Sequence, residues 1–569
     1  MKVVYLGRSS RRTKPSPALD GDVIELLSNN WDDYGYETTF PVTCRIGGEI
    51  VDLDLVRLLI DGEHTTSRAL NRLRAEGWDG VFPIPDTNYI STPSDITFYE
   101  QLEARLDTTG VIEVAKLLRD ASYFVRIAED ETAKALVESE GFRKSLQRER
   151  GSMKAYIDGW RIFERESIAV LDLGFRFKNI FGDIKSLNLK FQSSSRLPHD
   201  INVLIGPNGY GKSRVIHQIV QNWISPSDAH TVGFVEKPNL SQIVVVSYSP
   251  FERFPVDLSD HKLQDNDAYR YFGFRGRGAP SDKNRLGSIN LSHEFPKRNA
   301  AHSLVYCLRD DKRYRLIRDW SRKVETVEQV LKTAIDFDFA TVEVSSKKSV
   351  RKLYNDTSFI EPLSFIVETD NGARQFIPIA SDRIEELDDK ELGDSLLSKF
   401  GVTFFRDNKP IELSSGQRLF AYIVINILGA IRRNSLILID EPELFLHPTL
   451  EIQFVDMLKK ILTRFNSKAL LATHSVVTVR EVPADCVHVF EKTEDDIQLR
   501  NPPFQTFGGD FQRISSYVFG DKAVSKPFEN WIRAQLRDFD SADELIDALR
   551  DELNEEMIVQ IKAMERDQW

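Results

Sequence analysis

Cysteine and long apolar segments are scarce in this chain, and each shortage excludes some classes of protein. Its 569 residues include only three cysteines, Cys44, Cys307 and Cys486, which lie far apart and form no C-x-x-C pair. That spacing argues against a disulfide framework or a zinc module and fits a reducing cytosol. The apolar run at 3–6 is too short for a signal peptide, and no segment is long and apolar enough to span a bilayer. We therefore expect a cytoplasmic protein with no membrane partner.

An excess of basic charge is also missing. The formal net charge is -12, so no field of the whole chain attracts it to nucleic acid. Any contact with DNA or RNA must come from a local patch or from a partner protein. The length exceeds that of one typical domain, so we expect about two to four structural units.

A glycine-rich segment carries the strongest functional signal. Residues 206–213 read Gly-Pro-Asn-Gly-Tyr-Gly-Lys-Ser, directly after the apolar run 203–205. This is the pattern G-x-x-x-x-G-K-[ST] between a predicted strand and a predicted helix, in which backbone N–H groups cradle phosphates. Lys212 is expected to reach the β- and γ-phosphates, Ser213 to ligate Mg²⁺, and the helix N-terminus to favour the anion. The predicted nucleotide-binding residues of this loop are Gly206, Pro207, Asn208, Gly209, Gly211, Lys212, Ser213 and Arg214.

A second segment supplies the acids that such a site needs. The apolar run 436–439 ends in Asp440 and Glu441. Asp440 is placed to hold the Mg²⁺ that Ser213 also contacts. Glu441 is placed to orient and polarise the attacking water. Acids that merely mark the end of a strand are the alternative, which the phosphate loop makes improbable. The sequence thus predicts binding of ATP and Mg²⁺ and hydrolysis of ATP.

Two more motifs resemble those of the ABC-type ATPases. Residues 413–417 read Leu-Ser-Ser-Gly-Gln, similar to the signature L-S-G-G-Q with Ser415 in place of the first glycine. Residues 469–475 end in Thr-His-Ser and resemble the switch-histidine segment. The order and spacing of the four motifs match that class over about 167–490. The resemblance implies that His474 contacts the γ-phosphate. It also implies nucleotide contacts from Ser414, Ser415, Gly416 and Gln417.

The resemblance also implies an assembly. ABC-type ATPases form head-to-tail dimers in which the signature of one subunit closes on the nucleotide of the other. Ser414 and Gly416 would then donate hydrogen bonds to a γ-phosphate bound by Lys212 of a second copy, completing a cage that stabilises charge. We therefore expect a homodimer or higher homo-oligomer with composite ATP sites.

Two further segments, 441–448 and 506–520, resemble a particular subgroup of these ATPases. Residues 441–448 have the form E-P-E-x-x-L-H-P, which resembles soluble ATPases of the OLD and recombination-repair type. The segment 506–520 is similar to stand-alone prokaryotic ATPases, among them ATPase subunits of anti-phage systems such as Septu, which act with a separate nuclease. This implies a regulatory subunit of a defence or DNA-processing complex. Two alternatives stay open: a repair ATPase without a nuclease, and an effector whose activity resides in the N-terminal region.

Two family features are absent from the sequence. After the predicted strand 243–246 no glutamine follows within residues 247–252. Glu252 is a weak candidate for the coupling role of that glutamine, and a solvated loop acid is the alternative. No aspartate follows the acidic strand at the expected distance. Glu443 and His447 occupy that neighbourhood, with open roles.

A charged and aromatic segment is a candidate nucleic-acid surface. Tyr269, Tyr271, Phe272 and Phe274 alternate with arginines, and arginines with aromatics suit phosphate contacts and base stacking. A partly packed loop or a protein contact is equally well supported, since Arg and Tyr are also enriched at protein interfaces. The basic residues concerned are Arg270, Arg275, Arg277, Lys283 and Arg285.

We predict an α/β fold built on a P-loop nucleotide-binding domain of the ABC-ATPase type. Residues 1–165 form an additional α+β region, 166–500 form the ATPase domain, and 501–569 form a helical tail. A charged, helical arm inserted at about 250–345 lies outside the core. Alternating residues over 168–191 predict a hairpin, and Asp370-Asn371-Gly372 predicts a second one.

Overall fold

The structure is a computed structural model, in which the chain forms two units, residues 1–507 and 508–569. It describes residues 1–8, 21–28, 35–166, 170–193, 195–226, 231–259, 265, 267–278, 287–315, 317, 322–345, 349–356, 361–370, 372–493, 496–520, 527–539 and 541–566. Within these ranges, no helix combines the length and the apolar character that crossing a membrane requires.

The described strands are β1 (Lys2–Arg8), β2 (Val23–Ser28), β3 (Thr39–Ile46), β4 (Glu49–Ile60), β5 (Tyr89–Pro93), β6 (Leu173–Lys178), β7 (Ile184–Leu189), β8 (Ile201–Ile205), β9 (Gly233–Phe234), β10 (Gln242–Ser247), β11 (Tyr269–Gly273), β12 (Arg275–Arg277), β13 (Ile289–Leu291), β14 (Phe339–Val344), β15 (Phe365–Thr369), β16 (Gly372–Ile379), β17 (Val402–Arg406), β18 (Lys409–Pro410), β19 (Ser435–Asp440), β20 (Lys468–Thr473), β21 (Val487–Lys492) and β22 (Ile497–Arg500).

The described α-helices are α1 (Thr66–Ala75), α2 (Thr97–Leu117), α3 (Ala121–Arg126), α4 (Glu131–Val137), α5 (Arg150–Phe163), α6 (Lys212–Ile224), α7 (Glu294–Arg313), α8 (Lys323–Leu331), α9 (Asp389–Ser395), α10 (Ser415–Ala430), α11 (Pro448–Arg464), α12 (Val476–Val479), α13 (Phe511–Phe519), α14 (Pro527–Gln535), α15 (Ala542–Leu549) and α16 (Glu555–Arg566).

Seven strands make up the central sheet, in the order β11-β10-β19-β20-β8-β21-β22. All neighbours are parallel except β21 and β22. The inner strands β8, β10 and β19 are buried at every position, as their nearly continuous apolar sequences require when both faces of a parallel sheet are covered. The α/β P-loop fold predicted from the sequence is therefore the fold of this region.

The register of the sheet decides which residues meet at its carboxyl edge. Asp440 at the end of β19 lies opposite Ala472 of β20, and Thr473 lies opposite Ile205 at the end of β8. The loops after these three strands consequently leave the sheet side by side. This is the edge at which open α/β sheets bind ligands.

The N-terminal region has its own sheet, ordered β1-β2-β3-β4-β5, with a core that includes Val3, Phe40 and Leu58. It contacts the ATPase region through polar groups. Lys154 of α5 donates to the Asn239 carbonyl at 2.7 Å, and Arg433 pairs with Glu100 at 2.8 Å. Residues 1–507 thus form one unit.

Two smaller antiparallel sheets complete this unit, β7-β6-β9 and β15-β16-β14-β17-β18, beside the two-stranded pair β12-β13. Both predicted hairpins are confirmed, as β6 pairs with β7 and β15 with β16.

The expectation that the segment from 250 onward lies outside the core is wrong for β11. This strand pairs in parallel with β10 over Tyr269–Gly273 and forms the edge of the central sheet. Its aromatic side chains explain the placement, because Tyr269, Tyr271 and Phe272 bury their rings while Arg270 remains partly exposed.

The C-terminal unit is helical, with Ile532, Leu545 and Ile561 buried in a small core of its own. The Ser541 hydroxyl caps α15 by accepting a hydrogen bond from the Glu544 amide, which satisfies an otherwise unpaired helical N–H group.

Candidate ATP site

Three glycines shape the loop between β8 and α6. Gly206, Gly209 and Gly211 have φ angles of 149°, 81° and 97°, a region that side chains disfavour. At Gly206 space is limiting as well, because a Cβ would lie 2.9 Å from the Phe490 carbonyl oxygen. The loop can therefore curl over the sheet edge only with glycine at these positions.

Lys212 is held inside this loop. Its Nζ donates to the carbonyl oxygens of Gly206 at 2.8 Å and Pro207 at 3.1 Å. Burial lowers the pKa of Lys212 to about 8, against the opposing effect of Glu441, Glu443 and Asp440. The ammonium group thus sits at the mouth of the loop with three carboxylates near it.

The predicted metal ligands are brought together. The Ser213 hydroxyl donates to Asp440 Oδ1 at 2.8 Å, which joins the first turn of α6 to the end of β19. Burial raises the pKa of Asp440 to about 7, and the bond from Ser213 opposes that rise. A hydroxyl and a carboxylate are hard oxygen donors of the kind that Mg²⁺ takes, usually with phosphates and water as its other ligands. The donor set therefore fits Mg²⁺.

Glu441 follows Asp440 in an unusual backbone conformation. Its φ of 52° lies in the left-handed region, which costs a residue with a side chain about 1–2 kcal/mol. Its N–H donates to the Ala472 carbonyl at 2.8 Å, so the conformation is fixed by the neighbouring strand. Within the described chain the Glu441 carboxylate has no hydrogen-bond partner, and it is free to accept one from water.

His474 lies beside the phosphate loop. Burial lowers its pKa to about 4, the Lys212 cation adds to this, and a hydrogen bond with the Gly206 backbone opposes it. The imidazole is therefore neutral. The main-chain N–H of His474 donates to Glu443 Oε1 at 2.5 Å.

The signature segment caps helix α10. The Ser414 hydroxyl accepts a hydrogen bond from the Gln417 amide, and the Gln417 side chain accepts one from the Ser414 amide. Gln417 Nε2 also donates to the Ala334 carbonyl at 3.0 Å, so this side chain is already engaged, although a nucleotide contact was expected of it. Ser414 and Ser415 are exposed. Across the described ranges, no hydrogen bond or ion pair joins residues 414–417 to the phosphate loop.

The remaining loop residues are peripheral. Asn208 and Arg214 are exposed, and Pro207 is half-buried. They lie on the rim of the loop, from which only the Pro207 carbonyl turns inward, toward Lys212.

The interpretation of Glu252 as a solvated loop acid is wrong, and its coupling role stays a prediction. This residue is 9% exposed, so it is not a solvated loop acid. Its Oε1 accepts the Tyr271 hydroxyl at 2.5 Å, and its Oε2 accepts the Phe254 amide at 2.7 Å. These partners hold the Glu252 carboxylate in the connection between β10 and β11.

The arginines of the candidate nucleic-acid surface are paired with acids. Arg270 contacts Asp267 at 2.9 Å, Arg275 contacts Glu252 at 3.4 Å and Arg277 contacts Asp257 at 2.6 Å. The four interleaved aromatic side chains are buried and are not available to stack on bases. The packed alternative is the correct one for this part of the segment. Lys283 and Arg285 lie outside the described residues.

Sequence reasoning assigned no role to the acids behind His474. Glu443 binds the His474 amide, and Glu451 accepts the Ser475 hydroxyl. The one indication in the sequence was that Glu443 lies in the neighbourhood where ABC-type ATPases have an aspartate after the acidic strand.

Comparison with known proteins agrees with an ATPase at this site. Residues 201–480 match a family described as "AAA domain, putative AbiEii toxin, Type IV TA system". Protein ea59 of Escherichia phage lambda is 22% identical over 516 residues, which cover 88% of this chain and 87% of that protein. The matched span contains all four motifs, and it is similar to an ATPase domain of the AAA type.

Solved structures of ABC-transporter ATPases are more remote. CbiO1 from Clostridium perfringens, part of the transporter complex cbiONQ, is 14% identical with a TM-score of 0.27, covering 65% of this chain and 95% of that one. A nucleotide-free ATP-binding cassette of an ABC transporter is also 14% identical, with a TM-score of 0.26, covering 63% and 100% of the two chains.

Proposed function

We propose that this protein is an ATP-hydrolysing regulatory subunit of a bacterial anti-phage defence or DNA-processing assembly. The observation that carries the proposal is the convergence of Lys212, the Ser213–Asp440 pair, Glu441 and His474 on one edge of the central sheet. Such a convergence of a phosphate loop, hard oxygen ligands, an unpaired carboxylate and a neutral imidazole suits phosphoryl transfer to water.

Each residue has a role in this proposal. Lys212 binds the β- and γ-phosphates, and Ser213 with Asp440 holds Mg²⁺, which neutralises charge on the phosphates when bound. Glu441 accepts a hydrogen bond from the attacking water and orients it. The neutral His474 contacts the γ-phosphate, so its position depends on whether that phosphate is present.

Two copies of the chain complete the sites. Ser414, Ser415 and Gly416 lie on a part of the chain that makes no polar contact with its own phosphate loop. In a head-to-tail dimer they would reach the nucleotide of the partner subunit and add donors to its γ-phosphate. ATP then stabilises the closed dimer, and hydrolysis releases it.

The regulated activity belongs to an effector, and a separate nuclease is our first candidate. The family description names a toxin of a type IV toxin–antitoxin system, which supports a place in such a system. A second candidate effector is the N-terminal region of this chain itself. Its direct ion pairs with the ATPase region, Arg433–Glu100 and Arg313–Asp54 at 2.8 and 3.0 Å, favour that possibility.

Removal of the loop cation tests the ATP site. Lys212→Ala should lower the affinity for Mg·ATP at least about tenfold by calorimetry, because one charged hydrogen bond contributes about 1.5–3 kcal/mol. Lys460→Ala is the matched control, since that lysine is exposed and pairs only with Asp456 on the surface of α11. Equal affinities for the two variants would contradict the assignment.

Purification of the native operon tests the biological role. We expect a second protein to co-purify and its nuclease activity to differ between ATP and a non-hydrolysable analogue. Activity from this chain alone, lost when residues 1–165 are mutated, would instead favour the N-terminal region as effector.

A further inference from the structure

Two carboxylates lie behind the segment that carries His474. Glu443 Oε1 accepts the main-chain N–H of His474 at 2.5 Å, and Glu451 accepts the hydroxyl of Ser475. Both acids belong to the stretch of chain that follows the catalytic carboxylate Glu441. The end of β20 is therefore tied to the chain leaving β19 through side chains rather than through the sheet alone.

Glu443 occupies a position that is costly for an acid. Its Oε1 accepts the His474 amide, its Oε2 makes no hydrogen bond of good geometry, and within the described chain it forms no ion pair. Burial raises its pKa, while hydrogen bonds from the His474 amide and the Thr473 side chain oppose that rise. Burial of such a carboxylate is destabilising, so its presence here calls for an explanation.

The backbone around Glu443 connects it directly to Glu441. Glu441 has the left-handed conformation, and a short 3₁₀ turn, Pro442–Phe445, follows at once. Only Pro442 separates the two glutamates, and the ring of this proline restricts the backbone between them. A displacement of the Glu443 carboxylate is thus passed to Glu441 through one stiff residue.

The same turn also abuts the signature helix. A Cβ at Gly416 would lie 3.0 Å from the Phe445 carbonyl oxygen, so the turn and the start of α10 are in close contact. The turn therefore contacts three functional parts of the chain: the His474 segment, the water-orienting Glu441 and the signature.

We propose that Glu443 is a positioning residue that fixes the main chain of His474 relative to Glu441. The His474 side chain that contacts the γ-phosphate and the Glu441 carboxylate that orients the water then keep a constant position relative to each other. Loss of the γ-phosphate would displace the two groups together. This inference rests on the ATP hydrolysis proposed above, and it deepens that proposal by assigning a role to a residue whose role was open in the sequence analysis.

Steady-state kinetics of three variants tests the chemical consequence. Glu443→Ala should lower kcat about 10–100-fold while KM for ATP changes less than about threefold, since misplacement by about 1 Å can cost that much in rate without removing a phosphate contact. Glu443→Gln should retain more activity, because its amide oxygen still accepts the His474 N–H. Glu412→Gln, at an exposed site, is the matched control. Wild-type kcat in Glu443→Ala would overturn the proposal.

A double-mutant cycle tests whether Glu443 acts through His474. If it does, Glu443→Ala should cost less in the His474→Ala background than in the wild type, and the part of the loss that remains there measures the effect through Glu441. Fully multiplied losses would show an independent role and would overturn the positioning assignment.

A third measurement needs no turnover. In protein labelled with ¹⁵N-histidine, the His474 amide, identified by its loss in His474→Asn, should resonate downfield and exchange slowly because it donates to a carboxylate. Glu443→Gln should move it upfield and speed its exchange, with an unchanged melting temperature showing an intact fold. An unchanged amide overturns the inference. A shifted amide in a protein whose wild type hydrolyses no ATP would instead contradict the proposed function alone.

Discussion

The two ends of the central sheet handle charge in opposite ways. At the carboxyl ends of β8, β19 and β20, the cation Lys212 lies near three acids, Asp440, Glu441 and Glu443. At the amino end of β19, charges are balanced. Arg433 pairs with Glu100 at 2.8 Å, and Arg432 with Asp267 at 2.9 Å.

The difference in charge balance separates the end of the sheet that suits catalysis from the end that attaches the N-terminal region. An excess of partly buried negative charge is unfavourable until a cation such as Mg²⁺ compensates it, so the charge at the carboxyl end suits the binding of a metal ion with its nucleotide. Balanced pairs need no ligand, and the pair of Arg433 with Glu100 joins the N-terminal region to the ATPase region. Substitutions at the carboxyl end should therefore change activity, and substitutions at the amino end should change stability.

The largest effect is expected at Glu441. Glu441→Gln should keep Mg·ATP bound and slow hydrolysis about 10²–10⁴-fold, because Asp440 still holds the metal while the water loses its acceptor. Phosphate release measures the rate, and light scattering with and without ATP should show an accumulated dimer. Hydrolysis at the wild-type rate would contradict the role of Glu441.

Dimers formed from two different mutant subunits test the role of the carboxyl end of the sheet more sharply. Ser414→Arg should bind ATP but fail to hydrolyse it, and Lys212→Ala should fail to bind it. Mixed together, they should recover roughly a quarter of the wild-type rate if subunits pair at random, because half of the dimers then carry one intact site of two. No recovery, with heterodimers shown to form, would mean that the sites act within one chain.

Arg433 tests the amino end. The Arg433 and Glu100 side chains are only 19% and 12% exposed, so Arg433→Ala should lower the free energy of unfolding by about 3 kcal/mol through the uncompensated acid. Chemical denaturation measures this. Lys460→Ala is the control, because its pair with Asp456 is 54% and 59% exposed and contributes less than about 1 kcal/mol. Equal losses of unfolding free energy in Arg433→Ala and Lys460→Ala would contradict the stabilising role of the buried pair.

A pH dependence of stability is expected at His488, where the effect of one pH unit is smaller than that of Arg433→Ala. Its Nε2 bonds Asn202 Oδ1 at 2.9 Å, and burial lowers its pKa to about 4. The unfolded chain binds this proton near pH 6.5, so stability should fall as pH drops from about 6.5 towards 4, by about 1.4 kcal/mol per unit. Melting curves of His488→Gln should show a shallower decline, and parallel curves would contradict this.

Features carried by contiguous residues could be predicted from the sequence. The phosphate loop, the strands beside it and the turn at 370–372 each depend on short patterns whose local chemistry dictates the backbone. The proximity of Ser213 to Asp440 followed as well, because the carboxyl ends of parallel strands share an edge.

Contacts between distant residues that no motif relates to each other could not be predicted. From the sequence, a surface position was one interpretation of Glu252, because no residue next to it in the sequence indicates that its carboxylate accepts a hydrogen bond from the Tyr271 hydroxyl. The alternation of tyrosine and arginine in β11 resembled a binding loop, although the same alternation suits an edge strand with one buried face. The bond from His474 to Glu443 joins residues 31 positions apart, a separation that no local pattern encodes.

The contact between α7 and α10 has a mechanical consequence. A Cβ at Gly429 of α10 would lie 2.5 Å from the Ser303 Cβ of α7, and the Ser303 hydroxyl donates to buried Asn426 of α10 at 2.9 Å. Two helices packed this closely have little room to slide past each other. A displacement of α10 would therefore be transmitted to α7, whose last residue, Arg313, pairs with Asp54 of the N-terminal region.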